Sequence, residues 1–270
     1  MSLRRLLLAA ALLLPGAAVT REGKLGGYVE WVPTPEAMVG KMLDAARVGP
    51  GDHLIDLGAG DGRFVFAAAR RGARATGIEI DPGMAALGNA RAAKEGLADR
   101  VKFFEHDLFT HDLGGASVIS MYLLTDMNLK LRPKLLALKP GTRVLAFQFG
   151  MGDWPSERAL VEGDVRAFLW TVPARVAGAW RVEARPGAAG SVRELQLTQH
   201  YRTVGGVIAL GEGRSGGSEL GIDGVLDGDA LRFVVTGRPG WTFRGRVRED
   251  RIEGELTRGA SAPGKLIAHR

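Results

Sequence analysis

The stretch His53-Leu54-Ile55-Asp56-Leu57-Gly58-Ala59-Gly60-Asp61-Gly62-Arg63-Phe64 carries an apolar strand into three alternating glycines and then straight into a helical pattern. Glycine at every second position removes Cβ atoms where the backbone must turn sharply and approach a ligand closely, and the helix start that follows offers unpaired N–H groups. A dinucleotide-binding loop needs its third glycine three residues after the second, and Arg63 holds that place. The nicotinamide reading weakens accordingly, and the loop reads as a nucleoside elbow without a phosphate cradle. Glu79 closes the next strand, in Ala75-Thr76-Gly77-Ile78-Glu79-Ile80-Asp81. It lies about the distance downstream at which an acidic side chain holds two ribose hydroxyls.

Together these residues resemble motif I and its acidic partner in the class I S-adenosylmethionine (SAM) dependent methyltransferases. Working outward, two prolines in Tyr28-Val29-Glu30-Trp31-Val32-Pro33-Thr34-Pro35 fix an extended segment before a helical pattern over 36–46, which Thr34 can cap. Downstream, the pattern predicts strand 53–57, helix 62–71, strand 74–80, helix 82–95, strand 100–104, strand 116–122, helix 126–137 and strand 142–148. Such alternation implies an α/β fold with a parallel, doubly wound, Rossmann-like sheet. Ligands bind at the carboxyl ends of such strands, and those ends carry Asp56, Glu79, His106-Asp107 and Tyr122.

Asp107 is placed to accept a hydrogen bond from an adenine amino group, and reads equally as a capping aspartate. His106 and His111 sit among Asp107 and Asp112, but their spacing matches no usual ligand motif, so no metal site is expected. Tyr122 is the candidate catalytic residue. Methyl transfer by direct displacement needs a desolvated, aligned nucleophile more than a strong base, which a tyrosine hydroxyl and backbone carbonyls can provide. A half-buried core tyrosine is the plainer alternative.

The ordered set Val32-Pro33-Thr34-Pro35, Asp56-Leu57-Gly58-Ala59-Gly60-Asp61-Gly62-Arg63, Gly77-Ile78-Glu79-Ile80-Asp81-Pro82, Tyr122-Leu123-Leu124 and Leu131-Arg132-Pro133-Lys134-Leu135 sharpens the resemblance over about residues 28 to 155. It is similar to the mitochondrial protein-lysine methyltransferases acting on the ATP synthase c subunit and the adenine nucleotide translocase, and to their bacterial relatives. The resemblance implies SAM as cofactor, cofactor-binding roles for Thr34, Asp56, Gly58, Gly60, Gly62, Glu79 and Asp107, and a protein lysine, on a small membrane protein, as acceptor. One departure stands out: relatives commonly carry a His-Asp pair just after the fifth strand, where this chain reads Phe147-Gln148-Phe149-Gly150.

A chain of 270 residues, 46% hydrophobic and 24% charged, can bury a substantial core and divides more naturally in two than it stays whole. Its net charge of +6 is scattered, without an aromatic-interleaved basic run, so no nucleic-acid partner is expected. With no cysteine there is neither a disulfide framework nor a thiol nucleophile. Arg4-Arg5, the apolar Leu6 to Leu14 and the small residues Pro15-Gly16-Ala17-Ala18 read as a bacterial-style export signal, or as an uncleaved membrane anchor. Export to the periplasm or cell envelope conflicts with the cytoplasmic supply of SAM.

From Trp170 onward, short alternating runs separated by Gly, Asp and Pro predict strands 178–184, 192–200, 203–210, 218–226, 230–236, 241–248, 251–257 and 264–269. Turns such as Asp227-Gly228-Asp229 and Glu249-Asp250 favour antiparallel hairpins, and a meander closed into a small barrel would remove exposed edges. The expected division is signal peptide or anchor 1–19, methyltransferase domain 22–174 and antiparallel β domain 175–270. The competing functions are an exported scaffold that keeps the fold without catalysis, a small-molecule methyltransferase and, on charge alone, an RNA methyltransferase.

Overall fold

The computed structural model describes residues 32–183, 192–211 and 218–270. The expected signal peptide or anchor and the Tyr28–Trp31 segment lie outside the described residues. Pro33–Arg270 forms one compact unit.

The first part is a seven-stranded sheet. In chain order its elements are α1 (Glu36–Ala45), β1 (His53–Leu57), α2 (Arg63–Arg70), β2 (Arg74–Glu79), α3 (Pro82–Lys94), β3 (Val101–Glu105), β4 (Val118–Met121), α4 (Thr125–Leu135), β5 (Arg143–Phe147), β6 (Arg158–Glu162) and β7 (Val165–Thr171). The strand order is β3-β2-β1-β4-β5-β7-β6. β1 to β5 run parallel, and the order reverses between β1 and β4, the switch point at which such sheets open a crevice. Alternate residues serve opposite faces: Leu54, Val118, Leu145 and Phe147 pack under α1, α2 and α3, whereas Ile55, Ile119, Val144 and Ala146 pack with Leu131 and Leu135 of α4. Strands buried on both faces explain the near-continuous apolar runs.

Two expectations need correcting. The sheet is not wholly parallel, because β7 runs antiparallel to β5 and pairs with β6 in a hairpin that the sequence pattern does not predict. Nor does Thr34 cap α1: the N-cap is Pro35, with no side-chain cap, and Pro35 carbonyl takes the N–H groups of Met38 and Val39.

Phe103 on β3 sets the approach of α3 to the sheet. A Cβ on Gly62, Gly77 or Gly88 would stand 2.5, 2.5 and 2.6 Å from its ring, so three glycines from a loop, a strand and a helix form its slot. That close approach lets the glycine elbow sit against β2.

The second part is a closed antiparallel barrel, ordered β10-β11-β12-β13-β14-β15-β8-β9, from β8 (Gly178–Val182), β9 (Val192–His200), β10 (Thr203–Leu210), β11 (Ser218–Asp227), β12 (Ala230–Val235), β13 (Trp241–Arg248), β14 (Arg251–Arg258) and β15 (Gly264–His269). Closure removes the edges of the meander, as expected. Trp180 is fully buried, its indole N–H donates to Val176 carbonyl at 2.7 Å, and the Arg270 guanidinium lies 4.5 Å from its ring centre.

Candidate active site

At the carboxyl ends of β1, β2 and β4, Gly58, Gly60 and Gly62 adopt φ of 77°, 52° and 77°. These left-handed conformations are why the elbow needs glycine. Gly58 and Ala59 N–H groups donate to Ile78 carbonyl at 2.9 and 3.0 Å, which ties the elbow to β2. Glu79 completes the tie: one carboxylate oxygen accepts from Gly60 N–H at 2.8 Å, the other from Ile80 and Asp81 N–H at 2.8 and 3.1 Å. The structure therefore brings the three glycines and Glu79 together.

Asp56 lies beneath them, buried, and accepts from the hydroxyl of Ser120 on β4 at 2.7 Å. Burial pushes its pKa up to about 8, the Ser120 hydrogen bond works the other way, and the charges of Glu79 and Asp61 add to the rise. Arg63, in the place of the missing third glycine, clamps Asp61 at 3.0 and 2.6 Å and reaches Thr34 carbonyl. Burial opposes ionisation of Asp61, but the Arg63 hydrogen bonds hold its carboxyl below the usual range. Through Arg63 the buried Thr34 joins the elbow, although Arg63 meets its backbone and not its hydroxyl.

Asp107 sits at the rim past β3 and is exposed. One carboxylate oxygen accepts from Phe109 N–H at 2.8 Å and its carbonyl accepts from Thr110 and His111 N–H, so it caps the turn it begins. His106 and His111 face each other, Nδ1 to Nδ1, at 2.8 Å, a contact that requires one ring to donate and the other to accept. Burial, then His106 and Lys134, lower the pKa of His111. Among the described residues there is no group of three or more side chains able to hold a metal.

Tyr122 is the first residue past β4. Its ring meets Phe147 edge-on at 4.8 Å and 89°, and lies near-parallel to Phe149 at 6.2 Å and 24°. Leu123, next to it, would touch a Cβ on Gly58 at 3.4 Å, so the aromatic wall adjoins the elbow. Two contributors escape a reading of the sequence. Ser120 is hidden in an apolar strand, and Asn128 in the first turns of α4 is wholly buried, its amide donating to the carbonyls of Phe149 and Gly150 at 3.1 and 3.2 Å. A polar residue on the buried face of a helix was the available signal for Asn128.

Comparison with known proteins places this geometry. The profile of the ANTKMT methyltransferase domain matches residues 56–158. A protein-lysine N-methyltransferase of Saccharolobus islandicus is 40% identical over 139 residues, covering 50% of this chain and 86% of that protein. The lysine N-methyltransferase of Rattus norvegicus named for the ATP synthase c subunit is 36% identical over 124 residues, 46% of this chain, which spans only 56% of that relative. Among solved structures, an RNA methyltransferase from Salinibacter ruber, in complex with S-adenosyl-L-homocysteine, is 44% identical with a TM-score of 0.52, covering 54% of this chain and 96% of that one.

Proposed function

The chain belongs to the class I SAM-dependent methyltransferases, in the branch related to the protein-lysine N-methyltransferases, and from that footing we propose that it methylates the side-chain nitrogen of a protein lysine. The donor set suits the cofactor. SAM presents an ammonium, two ribose hydroxyls and an adenine amino group, all hydrogen-bond donors, and the rim offers the carboxylates of Glu79 and Asp107, with the proton-bearing Asp56 buried beneath them, beside glycines that leave room for close approach. Glu79 would take the ribose, Asp107 the adenine edge, Asp56 and the Thr34 loop the methionine end. Bound there, the cofactor supplies the methyl group as a sulfonium.

The observation that carries the acceptor reading is the aromatic wall of Tyr122, Phe147 and Phe149 directly beside the elbow. A lysine must lose its proton before it attacks, and the sulfonium of bound SAM, a like charge close by, would disfavour its charged form. The Tyr122 hydroxyl would orient the neutral nitrogen. The relatives named for lysines of the ATP synthase c subunit support a small membrane protein as the substrate, and an N-terminal apolar segment would bring this chain to a bilayer.

Incubation of the protein with labelled SAM and separated cell protein and RNA, followed by mass spectrometry, tests the reading. Label is expected on lysine nitrogen. Label in RNA would install the second reading, which the Salinibacter ruber relative favours. Label on a free metabolite would point to a small-molecule enzyme, and no transfer with intact SAM binding to an inert scaffold. Glu79→Ala should weaken SAM binding by calorimetry about tenfold or more, because a buried-edge carboxylate holding two hydroxyls is lost. Tyr122→Phe should lower turnover while leaving SAM affinity unchanged.

A further inference from the structure

We propose that the half-buried Tyr122 and Phe149, backed by the buried Phe147, form an alkylammonium site, an aromatic corner that holds the newly methylated nitrogen. The inference rests on the reading of the acceptor as an amine.

The corner is built at a cost. Gln148, between the two phenylalanines, has φ of 64°, and Phe149 N–H donates back to Phe147 carbonyl at 2.8 Å. A three-residue turn of positive φ at a non-glycine residue is strained and persists only where its surroundings enforce it. Here two separate elements do so. Gln148 N–H donates to Arg166 carbonyl on β7 at 2.7 Å, and its side-chain oxygen accepts from Arg166 N–H at 3.0 Å. From the other side, the Asn128 amide holds the Phe149 and Gly150 carbonyls. The enforced turn brings two rings, one edge-on and one near-parallel, onto Tyr122.

At five of the described aromatic groups the protein supplies its own cation. Arg91 lies over Phe66, Lys130 over Phe109, Arg132 beside Tyr201, Arg258 over Trp241 and Arg270 over Trp180. Among the described residues no lysine or arginine stands over Tyr122, Phe147 or Phe149. Beside the elbow, the half-buried rings of Tyr122 and Phe149 are placed to receive a cation from outside.

The chemistry supplies that cation. The amine lone pair forms the new nitrogen–carbon bond, the carbon–sulfur bond breaks with its electron pair left on sulfur, and the positive charge passes from sulfur to nitrogen. Ring faces attract a cation within about 6 Å. They favour charge at nitrogen and so favour the transition state in which it is developing there. While the sulfonium is still present it repels a second cation. The corner should therefore bind an alkylammonium better once sulfur is neutral.

Tetramethylammonium chloride, titrated into the whole protein saturated with S-adenosylhomocysteine and, separately, with SAM, tests this by calorimetry or NMR. Saturable binding is expected in both, several-fold tighter with S-adenosylhomocysteine. Phe149→Leu should weaken it by about 2- to 30-fold, the range of a cation–π contact, while Phe149→Trp keeps it, and both variants should retain S-adenosylhomocysteine affinity as proof of folding. Choline should bind more tightly than its neutral isostere 3,3-dimethyl-1-butanol. Absence of saturable binding, equal binding of the isostere, equal binding to the two complexes, or indifference to Phe149→Leu would each overturn the proposal. Lysine methylation without tetramethylammonium binding would sink the site and leave the functional reading standing. Binding with label found in RNA would do the reverse.

Discussion

Asp56 illustrates how one buried side chain ties stability to ligand. Unfolded, it ionises near 3.8; folded, burial holds its proton until about pH 8. Between those values the unfolded chain has released a proton that the folded chain keeps, so rising pH favours unfolding through this group, and the loss levels off above the folded value. The melting temperature of the unliganded protein should fall from about pH 5 to about pH 8, and Asp56→Asn, which keeps a neutral partner for Ser120, should flatten that fall. An equal slope in the variant would assign the effect elsewhere. Because SAM is cationic, its binding near neutral pH should draw a proton off Asp56, visible as a heat that changes with the ionisation enthalpy of the buffer. Gly77 offers a second test at this scale. A Cβ there would lie 2.5 Å from the Phe103 ring, so Gly77→Ala should cost about 1–3 kcal/mol in urea unfolding. Phe103→Leu should cost less in that background than in the wild type. The elbow glycines were legible because their spacing announces a turn. Gly77 and Gly88 were not, because their reason is a ring from a strand distant in sequence.

At the scale of elements, periodicity placed nearly every strand and helix, since burial on one face or two writes itself into the alternation of apolar residues. The β6–β7 hairpin escaped because its edge strand, Arg158–Glu162, is almost wholly exposed and carries no apolar stripe. Gly163-Asp164, between paired Glu162 and Val165, was the turn signal available. The aromatic wall was half legible: Tyr122 stood out, but Phe147 and Phe149 registered only as a departure from relatives, since their contact with Tyr122 depends on a strained turn no pattern announces. The segment after that wall is held further along by Tyr201, whose hydroxyl donates to Asp153 at 3.1 Å, while Arg132 of α4 grips the same carboxylate. Trp154 stacks on Tyr201 at 5.9 Å and 11°. The Arg132 and Tyr201 hydrogen bonds keep Asp153 ionised below the usual carboxylate range, so this contact is present at neutral pH and lost as the solution is acidified through that lowered value. Tyr201→Phe should leave SAM affinity intact and raise amide-exchange or proteolysis rates within residues 148–154, whereas a change confined to the barrel would show that the hydroxyl does not brace this segment.

For the whole molecule, the sheet supplies the rim and the barrel leans on the sheet's other end. The Asp227–Asp229 turn of the barrel reaches the loop before β5: Gly228 carbonyl accepts from Ala174 N–H at 2.8 Å, and a Cβ on Gly228 would stand 2.9 Å from Gly141 Cα. That contact, the Tyr201 stack and the short linker make sheet and barrel one compact unit although their cores are separate. Backbone approaching backbone leaves no flexible side chain to yield. Gly228→Ala, at φ of 58°, should therefore cost about 1–2 kcal/mol for the left-handed conformation and about 1–3 kcal/mol more for the collision. Calorimetry distinguishes a seam from a local defect. If the seam couples the two cores, the wild type melts in one transition whose calorimetric and van't Hoff enthalpies agree. Gly228→Ala should then split it, with the barrel transition moving apart from the SAM-stabilised sheet. Two transitions already in the wild type, only one of them raised by SAM, would show that the barrel folds without reference to the sheet and that the seam carries no coupling.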